Sequence, residues 1–201
     1  MEKKYILLLM LLLIIISICL IYRNNNKEDT DIKVKYPIYE YYKLNKVITE
    51  NINYYLKDNI DNYYFLYIDY KDYEYKEYIS IVLYISYFTG GAHPNYEIKT
   101  INYNKSTNKF IDIDDLINRD KDILNKLSIY SREYFSNNDM FNDKVVFDMM
   151  IDGTKSIKDN YKYFNITSDG LIIYFNRYQI APYYYGDYSI TIPYNYLDLS
   201  I

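Results

Sequence analysis

The residues able to do chemistry in this chain are few, and the search starts from its single histidine, His93. It stands in Phe88-Thr89-Gly90-Gly91-Ala92-His93-Pro94-Asn95, between two strand-like runs. Gly90 and Gly91 open backbone angles closed to other residues, and Pro94 holds His93 extended. The stretch is a fixed connection that presents or buries one imidazole. The structural reading has that ring hydrogen-bonding the backbone beside the turn; the functional reading has it touching a ligand. The one cysteine, Cys19, lies in an apolar N-terminal run. No intrachain disulfide, Cys-His pair or histidine-rich zinc site can therefore be assembled.

Carboxylates are the remaining catalytic resource. Two of them can hydrolyse a glycoside, and Asp112, Asp114 and Asp115 are adjacent. Their D-x-D spacing also opens a calcium loop. However, the fifth position of such a loop falls on Leu116, the sixth on Ile117 in place of Gly, and the twelfth on Ile123 in place of Glu. These aspartates read as caps of a short helical turn. The expectation is a non-enzyme without metal or cofactor.

The better contact candidates are aromatic. After Ala181-Pro182, the stretch Tyr183-Tyr184-Tyr185-Gly186-Asp187 places three tyrosines in a loop. They cannot all be core, and exposed aromatic clusters mark recognition surfaces. The total of 31 tyrosines, beside abundant Asn, Ile and Lys and no tryptophan, reads as AT-rich codon usage. Net charge of −4 argues against a nucleic-acid surface, which needs a clustered basic face.

The elements that must position these residues follow an N-terminal anchor. Tyr5 to Tyr22 (YILLLMLLLIIISICLIY) is uncharged, and as a helix it spans about 27 Å, close to the hydrocarbon thickness. Tyrosines end it, as they do at membrane interfaces. Residues 1–4 are then a cytoplasmic leader, 5–22 a single-pass transmembrane helix, 23–30 a polar linker and 31–201 an exported domain. A cleaved signal peptide lacks its A-x-A site. The alternative of a lipoprotein attached at Cys19 has Ile18 where a small residue belongs.

In the domain, Ile32, Val34 and Tyr36 alternate as a strand ended by Pro37. Leu44, Val47, Ile48, Ile52, Tyr55 and Leu56 form one stripe of a helix over 41–56. Strands follow at 63–70 and 75–88, with Lys71-Asp72 as the turn. Ile79 to Ile85 is apolar on both faces, as a central strand would be. Strands at 96–103 and 109–111 complete an antiparallel meander. Helices are expected over 118–135, with Ile123, Leu124, Leu127, Tyr130 and Tyr134 on one side. A further helix over 141–151 has Val145, Val146, Met149 and Met150 inward, ending near Gly153. A hairpin at 161–167 and 171–180, a strand at 188–192 and a short turn or helix from Tyr194 close the chain. The class is α+β, an antiparallel sheet packed with helices, with halves at 31–88 and 89–201.

Three segments in this order carry a resemblance: Tyr87 to Asn95 with its Gly90-Gly91-Ala92-His93-Pro94, Phe110 to Ile117, and Tyr178-Gln179-Ile180-Ala181-Pro182-Tyr183 running on to Thr191-Ile192-Pro193-Tyr194. Together they resemble the exported domain of the RsiV anti-sigma factor family and the accessory domain of PdaC-type peptidoglycan deacetylases. The resemblance implies an antiparallel sheet with helices outside the membrane, and a receptor-like role towards lysozyme. The four-residue leader is too short to hold a sigma factor, and a deacetylase catalytic domain is missing. Gln179 stands where the family is expected to carry Glu. The expected function is a membrane-anchored extracytoplasmic module that binds a lysozyme-like hydrolase or peptidoglycan. Its ligand candidates are His93, Gln179, Tyr183, Tyr184 and Tyr185, on a frame set by Gly90, Gly91, Pro94, Ala181 and Pro182. The alternative is an assembly partner of another envelope protein.

Overall fold

The computed structural model describes residues 30–57 and 62–199. The expected anchor at 5–22, its leader, most of the linker and Cys19 lie outside the described residues. Among the described residues, no helix is long and apolar enough to cross a membrane.

The architecture is α+β, with two sheets where one was expected. The larger sheet has the order β1 (Asp31–Val34), β2 (Phe65–Tyr75), β3 (Tyr78–Phe88), β4 (Asn95–Asn104) and β5 (Lys109–Phe110). The apolar run Ile79 to Ile85 lies in the central strand β3 and is buried on both faces except at Tyr84, which is exposed. This sheet continues to Phe110, so a division of the domain at residue 88 falls inside it.

The meander is not wholly antiparallel. β1 pairs parallel with β2, Asp31 opposite Phe65 and Val34 opposite Ile68. Helix α1 (Tyr42–Leu56) causes this: it carries the chain back to the end of the sheet where β1 began, which is what a parallel pair needs. Leu44, Ile48, Ile52 and Tyr55 turn inward from α1 onto Leu66, Ile68, Ile81, Leu83 and Ile85. Each such aliphatic side chain stabilises the fold by about 1.5–3 kcal/mol on burial.

The Lys71-Asp72 turn is likewise corrected. Both residues lie inside β2, and the chain reverses at Lys76-Glu77 with Tyr75 opposite Tyr78. Lys76 takes the left-handed backbone conformation that a tight hairpin demands. Beyond Ile68, β2 has no partner from β1, so Lys71 and Asp72 stay in water while their backbones pair with β3.

The helix expected over 118–135 begins only at Ile123, and Asn118 and Arg119 belong to the short capped helix before it. Helix α2 (Ile113–Arg119) starts at Asp112, whose carboxylate accepts from the Asp114 and Asp115 amides in a capping box. Asp120 is extended and breaks the run, and α3 (Ile123–Ser136) begins afresh. The Lys126 ammonium, 3.1 Å from the Asp120 carboxylate, clamps the break. After a short 3₁₀ turn, α4 (Lys144–Gly153) is capped by Asp143. It buries Val146 and Met150, but Val145 is 64% exposed because the capped first turn faces solvent. Tyr134 on α3 is exposed as well.

Helix α5 (Lys158–Tyr161) leads into the second sheet, ordered β6 (Phe164–Ile166), β7 (Leu171–Phe175) and β8 (Tyr188–Ile192), and α6 (Tyr194–Leu197) ends the described chain. The strand expected to Ile180 stops at Phe175. Leu127, Phe135, Met150, Phe175 and Ile190 form the core of this half. Val82, Ile98 and Tyr174 join the two halves through apolar contact.

Candidate ligand-binding site

The Gly90-Gly91 turn connects β3 to β4 with φ of +98° and +113°, angles that only glycine adopts without strain. It leaves His93 exposed. The His93 Nδ1 lies 3.0 Å from the Pro94 carbonyl oxygen. That oxygen can only accept, so Nδ1 is the donor in this contact. The Tyr178 hydroxyl sits 3.5 Å from Nε2.

The second wall of the site comes from the segment between β7 and β8. The Tyr183 ring stacks on the His93 ring, centroids 3.9 Å apart and planes 23° from parallel. Its hydroxyl donates to the same Pro94 carbonyl at 2.8 Å. Tyr178, in the left-handed conformation, places its ring 5.7 Å from Tyr183. The Arg177 guanidinium lies over the Tyr96 ring at 3.6 Å and near the Tyr183 ring at 4.6 Å. Asp187 holds Arg177 twice, accepting from its amide at 3.0 Å and facing Nε at 3.5 Å. A cation over an aromatic face is worth about 0.5–1 kcal/mol when exposed.

The structure thus brings His93 and Tyr183 into direct contact across a sequence separation that offered no hint of it. The Tyr184 and Tyr185 rings lie 4.2 Å apart, tilted by 35°. Tyr184 is 75% exposed, while Tyr185 packs against the core of the second half. Gln179 is placed away from the rings. Its amide nitrogen donates to the Gly153 and Asn160 carbonyls at 3.0 Å each, and its oxygen accepts from the Asn176 amide at 3.2 Å. A glutamate here would set a carboxylate against two carbonyl oxygens, so the departure from the expected Glu suits this strap between the segment and α4 and α5. Gly153 is pressed onto it: a Cβ there would fall 2.0 Å from the Gln179 carbonyl oxygen. Ala181 is buried beneath the loop.

Tyr96, Arg177, Tyr178 and Asp187 complete the cluster, and sequence reasoning did not select them. Tyr178 opens the Tyr178-Gln179-Ile180-Ala181-Pro182-Tyr183 segment, and Arg177 and Tyr96 directly flank the segments that carry the resemblance. Tyr96 follows from its alternation in β4, but nothing local to it announces an arginine partner.

The acidic group is accounted for by structure. Asp112 and Asp115 are engaged in the capping box, and Asp114 pairs with Lys158. Among the described residues, no three His, Cys, Asp or Glu are grouped to hold a metal ion. One carboxylate is partly sheltered: Glu97 accepts from the Tyr55 and Tyr87 hydroxyls at 2.7 and 2.9 Å. Burial, reinforced by this carboxylate, holds both phenols well above the usual tyrosine range. They therefore stay protonated donors.

The chain is similar to known proteins over part of its length. The chain is 37% identical over 127 residues to the peptidoglycan-N-acetylmuramic acid deacetylase PdaC of Bacillus subtilis, covering 62% of this chain and 27% of that protein. It therefore spans about a quarter of that relative's length. A DUF3298 family protein of Pseudomonas aeruginosa PAO1 shares the fold with a TM-score of 0.65 at 18% identity, over 84% of this chain and 83% of that one. A DUF3298 protein of Bacteroides fragilis NCTC 9343 aligns with a TM-score of 0.51 at 20% identity, over 78% and 61%. Residues 114–195, which contain the Arg177 to Asp187 wall of the site but not His93, match the family model of DUF3298, a protein of unknown function.

Proposed function

We propose that this chain is a membrane-anchored module on the outer side of the cell envelope, which binds a cell-wall glycan or a lysozyme-like hydrolase and performs no reaction itself. The observation that carries the reading is the cluster of His93, Tyr96, Arg177, Tyr178 and Tyr183. Its fixing hydrogen bonds are made internally, and His93, Tyr96 and Tyr178 are exposed, with Arg177 paired to Asp187 beside them. Pre-fixed aromatic groups lose little entropy when a ligand docks, which favours binding. Similarity to part of a protein named for its action on peptidoglycan supports a ligand from the wall or its hydrolases. The uncharged stretch of Tyr5 to Tyr22 supports the tether.

The test is binding by the purified full chain to insoluble peptidoglycan, to soluble muropeptides and to a lysozyme, in separate arms. Binding in one arm, weakened about tenfold by Tyr183→Ala, is the expected result. Absence of binding in every arm overturns the reading. Turnover of wall glycan by the chain alone overturns its non-enzymatic part.

A further inference from the structure

We infer that the end of the domain where β1 begins is a seat for a lipid bilayer, built from the side chains of Tyr54, Tyr64, Phe65 and Phe88. This rests on the reading of Tyr5 to Tyr22 as a membrane span, and it adds an orientation which that reading does not contain.

The register fixes which residues share this end. Asp31, the first residue of β1, lies opposite Phe65, and Phe65 lies opposite Phe88. The chain arrives between them: the Asp31 amide donates to the Tyr64 carbonyl at 3.2 Å, and the Thr30 hydroxyl to the Tyr63 carbonyl at 2.9 Å. Around that point the rings are contiguous. Tyr64 is 5.4 Å from Phe88, and Phe88 is 6.1 Å from Phe65. Tyr54, in the last turn of α1, lies against Tyr55, whose hydroxyl reaches Glu97 on β4. Among the described residues, Tyr54 is 73% exposed and Tyr64 is 56% exposed. Large aromatic residues left uncovered in this way mark an interaction surface.

The occupant follows from the chain that precedes β1. Residues 23–30 reach at most about 29 Å when fully extended. The opposite end of the sheet, at Tyr75 and Tyr78, lies ten residues further along β2, about 34 Å away at the rise of a strand. With the strands upright, the tether reaches the bilayer with the aromatic end and falls short with the other. Asp31 is paired with Lys33 and with the Tyr67 hydroxyl, and Glu97 accepts two phenols. Lys57, just past α1, is exposed and suits anionic headgroups. Tyrosine and phenylalanine at this level take the place that aromatic belts occupy. The Gly90-Gly91 turn that carries His93 leaves β3 at this same end, so the seat and the His93–Tyr183 cluster are neighbours.

The chain contains no tryptophan, so a single substitution makes a unique reporter. Full chains carrying Tyr64→Trp, Tyr54→Trp or, at the far end of α1, Tyr42→Trp are reconstituted into phosphatidylcholine–phosphatidylglycerol vesicles containing lipids brominated near the headgroup. Tyr42 is 79% exposed and serves as the distal control. Both near-end reporters should lose roughly half of their emission to the bromolipid while the Tyr42→Trp chain is unaffected, as interfacial depth requires. Equal quenching at all three positions, or none, in chains that float with the vesicles overturns the seat and leaves the anchor standing. Chains that do not float overturn the anchor, and the seat with it.

Discussion

Two side-chain clusters tie the five-stranded sheet to the second half of the molecule, and they differ in their relation to water. The first is a buried polar seam. The Ser80 hydroxyl donates to the Asn102 side-chain oxygen at 2.7 Å and accepts from the Ile166 amide at 3.0 Å. The amide nitrogen of Asn102 donates to the Phe164 carbonyl at 2.9 Å, and that of Asn165 to the Ile81 carbonyl at 3.1 Å. The Tyr174 hydroxyl donates to the Asn165 oxygen at 2.9 Å. Here β6 crosses the face of the larger sheet, and side chains satisfy backbone groups that a strand partner would otherwise satisfy. The second cluster, His93 with Tyr96, Arg177, Tyr178 and Tyr183, joins the same two halves with its rings at the surface. The seam is closed on itself, so removing one member leaves others unpaired in a dry environment. The exposed cluster can lose a member to water at little cost. One junction therefore holds the fold, and the other is free to hold something else.

Asn165→Ala is the sharpest way to break the seam. It removes one partner each from the Ile81 carbonyl and the Tyr174 hydroxyl at a fully buried site, and should lower stability by about 1–3 kcal/mol in denaturant unfolding. A change below about 0.5 kcal/mol would mean that the two clusters do not differ as described. Gln179→Glu should cost about 1–3 kcal/mol by the same measurement, because two carbonyl oxygens lose donors and face a carboxylate. Gln179→Ala, which removes the donors without adding charge, separates the two causes.

Tyr183→Ala is the counterpart on the exposed side. It should change stability by no more than about 1 kcal/mol, while ligand affinity in the binding assay falls about tenfold. The smallest expected effect is a control outside both clusters. The Asp122 amide and the Lys126 ammonium hold the Asp120 carboxyl below its ordinary 3.8. With the folded pKa the lower one, its contribution is complete above the unfolded value and fades as pH falls through the folded one. Asp120→Asn should therefore flatten the acid limb of a stability–pH curve and leave its neutral plateau nearly unchanged in slope. An identical acid limb would remove Asp120 from the account.

Part of this was legible in the residues. Ile79 to Ile85 announced the central strand, since burial on two faces leaves no room for alternation. The α1 stripe showed which face packs, Asp112 announced a helix start, and Gly90-Gly91 a turn. The class of residues at the site was also readable in His93 and the tyrosine loop. The parallel β1, Lys71 and Asp72 inside a strand, and the break at Asp120 were not readable. Each depends on what lies beside the segment: a returning helix, an uncovered edge, a lysine two turns away. In an asparagine-rich chain, Asn102 and Asn165 look like any surface amide until the second sheet buries them.

The sequence by itself determined the local periods, the helix starts, the reversals at glycine and the apolar run ahead of the domain, because these depend on neighbours along the chain. Only the tertiary structure decided that Tyr183 meets His93, that Arg177 covers Tyr96 and that Gln179 is a strap. Those contacts join segments about eighty residues apart in places, and their energy exists only once two separately folded surfaces are pressed together.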